Sequence, residues 1–180
     1  MSNITITKDE WHRLYIEYNV AYNNAEVVKD YYEDNLHNGK WKIIPISFCG
    51  VATNIAKKYL PNFLGFCDNY NTLTASIHIL EPGCAVEEHI DDDFEVEIKR
   101  IHIPIFGFSI NDINGRYKSH TVSDGIDIFE FDTTVPHSVK NLHKYNIVFL
   151  ILDFAIQEQP IDVKVIDELF ATFKRVGYFS

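Results

Sequence analysis

The chain has 180 residues, long enough for one domain with a substantial core and short for two. With 46% hydrophobic and 23% charged residues, its make-up is that of a globular protein and excludes disorder, collagen-like repetition and coiled coil. The 16 Lys plus Arg against 26 Asp plus Glu, a formal net charge of -10, repel phosphate backbones, so nucleic acid is excluded as a partner. No apolar run approaches the roughly 20 residues that cross a bilayer, and the N-terminus lacks the order of a signal peptide, so the expectation is a cytoplasmic protein with no membrane partner. Cys49, Cys67 and Cys84 form neither a CxxC pair nor a disulfide framework, which fits reduced, packed thiols.

Along residues 8–35, Trp11, Leu14, Tyr15, Tyr18, Ala21, Tyr22 and Ala25, with Val28 and Tyr32 beyond, recur at helical spacing and predict an amphipathic helix. The pair Asn38-Gly39 then punctuates the chain. Residues 41–48 (WKIIPISF) read as a strand that Pro45 weakens or places at an edge. A short helix is expected over 51–60, stopped by Pro61.

From residue 72 the texture changes. Segments 73–80, 98–110, 116–122, 126–131 and 146–154 are short and rich in β-branched and aromatic residues, as expected of strands. Between them lie the turn dipeptides Pro82-Gly83, Asn114-Gly115 and Asp124-Gly125. Regular short strands imply a sandwich or barrel. After Pro160 the helical period returns, with Ile166, Leu169, Phe170 and Phe173 on one face; this helix either covers the sheet or makes a dimer contact, so the oligomeric state stays open. The expected organisation is a single domain over 1–180, mainly β with flanking helices: a scaffold over 1–71, a catalytic β core over 72–155 and a C-terminal helix over 160–177.

The segment EPGCAVEEHIDDDF (81–94) carries the most chemistry. In an extended chain, residues two apart point the same way, so the His89 imidazole and the Asp91 carboxylate address one point. A third ligand type stands at His137 in FEFDTTVPHSVKN. Two His and one carboxylate on one face form the ligand set of mononuclear non-haem Fe(II) oxygenases, because the other coordination positions stay open. A jelly roll can bring two such rims together. Taken alone, the HxD triplet reads more readily as a solvated loop in an acidic run than as a metal site.

Four elements occur in one order: L-x-P-G followed by H-x-D, then R-x-H-x-P over 100–104, then F-D with H-S-V-x-N over 131–141, and an apolar strand closed by Asp153. This resembles the aspartyl/asparaginyl β-hydroxylase family of 2-oxoglutarate-dependent oxygenases over about residues 72–154. The resemblance implies a double-stranded β-helix of jelly-roll, cupin-like form, with Fe(II) as metal. It also implies 2-oxoglutarate as cosubstrate, converted with dioxygen to succinate and carbon dioxide as a carbon is hydroxylated. It matches His89, Asp91 and His137 to the metal positions, and Arg100 and His102 to positions near the cosubstrate. Arg100, His102 and Pro104 share one strand face, and an Arg fork suits a dicarboxylate. For Arg100 an ion pair with Glu95 or Glu97 competes with cosubstrate binding. For His102 the competing reading is a satisfied core histidine.

One departure stands out. Where the family places the arginine that anchors the far carboxylate of 2-oxoglutarate, this sequence has Ile147, which offers no salt bridge. Lys144 reaching in, Arg100 taking over, or a departure from the usual use of 2-oxoglutarate are the three ways to accommodate it, and Arg100 is the expected anchor. His78, on the same strand face as Ser76 and Leu80, either looks into the cavity or is structural. Asp92 and Asp93 read as loop or mouth charges, Asn141 as closing a turn, Asp132 as fixing the loop before His137 through backbone amides, Asp153 as a structural strand end, and His12, His37 and His120 as surface residues. The expected function is an Fe(II)- and 2-oxoglutarate-dependent hydroxylase acting on an amino-acid side chain or amino-acid-like substrate, a small molecule or peptide, with dioxygen. The alternatives are a cupin-type metal-binding module without 2-oxoglutarate turnover and a purely structural jelly roll.

Overall fold

A computed structural model describes residues 4–31, 36–91, 98–156, 171 and 174 of the chain. Its centre is a strand that is apolar on both faces as far as Asp153. In β11 (Ile147–Ala155) the side chains of Val148, Leu150 and Leu152 join a cluster under the helices, while Ile147, Phe149 and Ile151 join a second cluster on the opposite side. Alternate residues of a strand point to opposite faces, so a strand apolar at every position is one buried on both.

The remaining strands are β1 (Lys29–Asp30), β2 (Trp41–Phe48), β3 (Val51–Ala52), β4 (Thr74–Leu80), β5 (Ala85–His89), β6 (Ile98–Phe106), β7 (Ile113–Asn114), β8 (Tyr117–Ser123), β9 (Ile126–Phe131) and β10 (His137–Lys140). They form a large sheet in the order β1-β2-β4-β11-β6-β9-β8, with β3 attached to β2, and a small sheet in the order β5-β10-β7. Every named pairing is antiparallel. The Asp124-Gly125 dipeptide joins β8 to β9 with φ of 47° and 82°, the positive pair that a type I′ hairpin turn requires.

Among the described residues, α1 (Lys8–Tyr22), α2 (Asn54–Tyr59) and α3 (Pro61–Asp68) cover the outer face of the large sheet. A capping box between Thr7 and Glu10 starts α1, satisfying donors that have no partner in the first turn. The helix ends at Tyr22, short of the expected residue 35. Asn19 and Asn23 bond back to the carbonyls of Tyr15 and Asn19, and Asn24 accepts from Glu26 N, so local side-chain bonds replace the helical ladder. Ala25 is exposed and Lys29 enters a strand.

Pro45 and Pro61 also differ from expectation. The strand of Pro45 is inside the sheet, between β1 and β4, but the register shifts between Pro45 and Ser47. Thr53 serves the outer side of this bulge, with its hydroxyl donating to Pro45 O and its amide to Ile46 O. Pro61 ends α2 and also opens α3 at its first turn, where a missing N–H costs nothing. The helix expected over 160–177 lies outside the described residues apart from 171 and 174.

The start of α3 has no side-chain cap of its own. Glu17, buried on α1, reaches across and accepts from Asn62 N, Phe63 N and Asn62 Nδ2, each at 3.0 Å. A carboxylate at a helix N-terminus is favoured by both its N–H groups and its dipole. Glu17→Ala is therefore expected to lower stability by about 1–3 kcal/mol in urea denaturation, because the buried Phe63 amide and the part-buried Asn62 amide lose their acceptor. Unchanged stability would contradict this inter-helix cap.

Candidate metal centre

The small sheet sets two imidazoles face to face. His89 closes β5 and His137 opens β10, and the two are directly opposed in the register, with ring centroids 4.3 Å apart. Asp91 follows two residues after His89, and its carboxylate lies between the rings, Oδ1 at 3.5 Å from His89 Nε2 and Oδ2 at 3.5 Å from His137 Nε2. One ligand atom from each residue falls within 4.8 Å of the others. His89 Nδ1 bonds to Glu87 O at 2.8 Å and His137 Nδ1 to Val135 O at 3.1 Å. Each carbonyl accepts an Nδ1–H, so the lone pair of each ring sits on Nε2, aimed at the centre of the cluster, as ligating histidines require.

The loop that supplies the Val135 carbonyl is itself anchored. Asp132 is fully buried; its Oδ1 accepts from Thr134 N and Oγ1, and its Oδ2 from Arg116. Burial works to raise its pKa, but the Thr134 and Arg116 bonds outweigh that and bring it down to about 2. Asp132 thus fixes the loop before the distal histidine, as the sequence suggested. Asn141 likewise closes the following turn, donating to Leu80 O and Tyr145 O.

The large sheet forms the opposite wall. Across β4, β11 and β6, one rung reads Thr74, Asp153, Arg100, and the next reads Ser76, Ile151, His102. Arg100 donates from Nε and Nη2 to the two carboxylate oxygens of Asp153, at 2.8 and 3.0 Å, and from Nη1 to Asp91 Oδ2. Thr74 Oγ1 also donates to Asp153, at 2.9 Å. Among the described residues the partners of Arg100 are Asp153 and Asp91; Glu95 and Glu97, with Asp92 and Asp93, lie outside the described residues. Burial works to raise the Asp91 carboxyl, but the Arg100 charge outweighs it and holds the group well below the usual carboxylate range.

His102 is buried against Phe131, stacked at 5.1 Å, and Phe149 at 5.2 Å, and neither of its ring nitrogens has a hydrogen-bond partner among the described residues. Burial, then the Arg100 charge, keep it neutral, its pKa well below 6.5. His78 is satisfied at both nitrogens: Nδ1 accepts from Trp41 Nε1 at 3.0 Å, so Nε2 carries the proton and donates to Ser76 Oγ at 2.9 Å. Burial, then Arg100, push its pKa down to about 3. His78 and His102 both line the cavity, of about 120 Å³, that contains His89, Asp91 and His137.

Lys144 is exposed in the loop after Asn141 and is not among the residues lining this cavity. Ile147 lies opposite Leu80, fully buried in the apolar end of the inner cluster. His12 and His120 are exposed. His37 is not: it is buried, with Nδ1 accepting from Gly39 N at 3.0 Å, because residue 37 makes a β-bridge with Val86. Sequence reasoning also passed over Thr74, Ser76, Tyr31 and Trp41, the last two stacked at 3.8 Å on the cavity wall. For Asp153 a signal existed: a lone carboxylate ending an otherwise apolar, two-sided strand needs a buried cation.

An open two-histidine, one-carboxylate cluster facing a cavity suits Fe(II) with exchangeable positions, and the Nε2 lone pairs, an ionised Asp91 and the nitrogens of His102, without a partner among the described residues, fit a metal with a further ligand beside it. The Aspartyl/Asparaginyl beta-hydroxylase family matches residues 8–156. No curated protein matches the chain. Among solved structures, a Pseudomonas putida prolyl-4-hydroxylase is 15% identical, covering 84% of this chain and 89% of that one with a TM-score of 0.50. A Trichoplax adhaerens prolyl hydroxylase, solved with a hypoxia inducible factor peptide, is 15% identical over 86% of this chain and 82% of that one, with a TM-score of 0.48. A 2OG-Fe(II) oxygenase from Burkholderia pseudomallei is 13% identical over 68% and 71%, with a TM-score of 0.42. The Pseudomonas likeness shows the jelly-roll fold of the two sheets. With the match running from the first helix through β11, the chain belongs to the aspartyl/asparaginyl β-hydroxylase family and is an Fe(II)- and 2-oxoglutarate-dependent hydroxylase.

Proposed function

We propose that His89 and His137 through Nε2, and Asp91 through its carboxylate, hold the Fe(II) of this hydroxylase, and that the hydroxylated group is an amino-acid side chain, free or in a peptide, or an amino-acid-like small molecule. The observation that carries the metal assignment is the pair of Nδ1–H bonds to Glu87 O and Val135 O, which turn both ring lone pairs onto the Asp91 carboxylate. When bound, Fe(II) with 2-oxoglutarate and dioxygen supplies the oxidising chemistry. The chain's own residues orient and exclude. Arg100 keeps Asp91 ionised and fixes the direction of its carboxylate. Phe131 and Phe149 enclose His102 and keep water from that wall. Tyr31, Trp41 and Phe48, with the hydroxyls of Ser47 and Thr53, also line the cavity, and such a mixed aromatic and hydroxyl surface supports a substrate with an apolar stem and polar ends.

The location in keeping with this reading is a reducing cytoplasm, supported by Cys67 and Cys84, buried and unbridged. Among the described residues no helix is long and apolar enough to cross a membrane.

Two measurements test the roles. Anaerobic addition of Fe(II) and 2-oxoglutarate should give a weak visible charge-transfer band that His137→Ala abolishes, and that variant should lose more of its metal affinity than the about 10–100-fold carried by outer partners. A folded, metal-loaded protein without the band would overturn the assignment. Asp132 gives a pH-dependent test. Its carboxyl is depressed from 3.8 to about 2 in the fold, so its stabilising contribution is present above 3.8 and is lost as pH falls through 2. Asp132→Asn should therefore melt below the wild type near neutral pH, and the gap should close between pH 3.8 and 2. A gap independent of pH would show that the charge plays no part.

A further inference from the structure

A 2-oxo acid bound at this metal would meet the cavity walls, and the charge that the described residues give those walls can be counted. Among the described residues lining the cavity, Arg100 is the one permanent cation. Its guanidinium is spoken for: Nε and Nη2 grip Asp153, and Nη1 holds Asp91. One positive charge thus faces two carboxylates before any ligand enters. His78 cannot add a charge, because its Nδ1 accepts a hydrogen bond from Trp41, which an imidazolium could not do. His102, among Phe131, Phe149 and Phe108, has no carboxylate partner among the described residues to support a proton. Ile147 is buried and apolar, and Lys144 is outside the cavity.

Neutral polarity is present instead. Ser76 Oγ accepts from His78 Nε2, which leaves its own hydroxyl hydrogen as a donor, and the two nitrogens of His102 have no partner among the described residues. Around them stand Ile43, Phe149 and Ile151. Such walls hydrate or hydrogen-bond a carboxylate weakly and accept an alkyl tail well.

We propose that this cavity binds 2-oxo acids with uncharged tails about as readily as 2-oxoglutarate, so that the enzyme uses them as cosubstrates. The inference rests on the metal assignment above. The reaction balances with any tail R: the C1–C2 bond of R–CO–COO⁻ breaks and carbon dioxide leaves. One atom of dioxygen completes R–COO⁻, the other enters the substrate C–H bond as C–OH, and each of the two organic molecules gives up two electrons. Arg100 stays on Asp153 and Asp91 throughout and serves as a positioning residue.

The test is a binding comparison on the full chain loaded with Mn(II), which is redox-inert under anaerobic conditions, using titration calorimetry with 2-oxoglutarate and with 2-oxopentanoate, the same chain length ending in methyl. The expected dissociation constants agree within about three-fold, whereas a cation-anchored far carboxylate favours the dianion by about thirty-fold or more. A thirty-fold preference for 2-oxoglutarate would overturn the proposal and leave the metal assignment standing. Metal-independent binding, or none of either acid, would overturn both. Asp153→Asn, which frees two donors of Arg100, should shift the preference toward 2-oxoglutarate by about ten-fold without loss of Mn(II); an unchanged ratio in the folded variant would contradict the neutralisation of Arg100 by Asp153.

Discussion

The structure turns on one guanidinium. Arg100 lies between Asp91, which follows the last strand segment of the small sheet before β6, and Asp153, near the end of the central strand of the large one. This is the ionic contact that ties the proposed metal ligand Asp91 to the opposite wall, and it decides several things together. It keeps a half-buried carboxylate ionised, it fixes where that carboxylate points, and it uses the charge that the cavity would otherwise offer to an anion. A buried ion pair is tolerated only when both partners are fully hydrogen-bonded. Thr74 completes that requirement on the Asp153 side, and the His89 and His137 rings flank the Asp91 side.

The surroundings follow from this demand. A polar cluster inside a small domain needs a core elsewhere, and β11 separates the two. Its even-numbered residues pack under α1, α2 and α3 in an apolar layer of aliphatic and aromatic side chains, and its odd-numbered residues line or back the cavity. The sheet is thus stabilised on one face and functional on the other. The small sheet needs only three short strands, because its task is to present His89 and His137 across one register position.

Much of this was legible in the residues. The strands over 73–80, 126–131 and 146–154 follow from β-branched and aromatic runs bounded by turn dipeptides, and the grouping of His89 and Asp91 with His137 agrees with the HxD spacing. The short strands β5 and β10 were missed because AVEEH and HSVK lack apolar alternation; tertiary pairing, not propensity, makes them strands. The overlong first helix came from extending a period through Asn23 and Asn24, whose side chains compete for the backbone. The role of Arg100 was only half legible. Its face could be counted by parity, but its partner could not, since the Asp153 contact depends on which strands lie adjacent in the sheet.

That contact is also where the account is most exposed. A crystal structure of the protein with Mn(II) and 2-oxoglutarate bound shows the metal ligands and the guanidinium in one map. The account predicts the metal on His89 Nε2, His137 Nε2 and Asp91, with Arg100 still paired to Asp153 through Nε and Nη2 and no cation on the far carboxylate. Arg100 swung away from Asp153 to grip that carboxylate would contradict it.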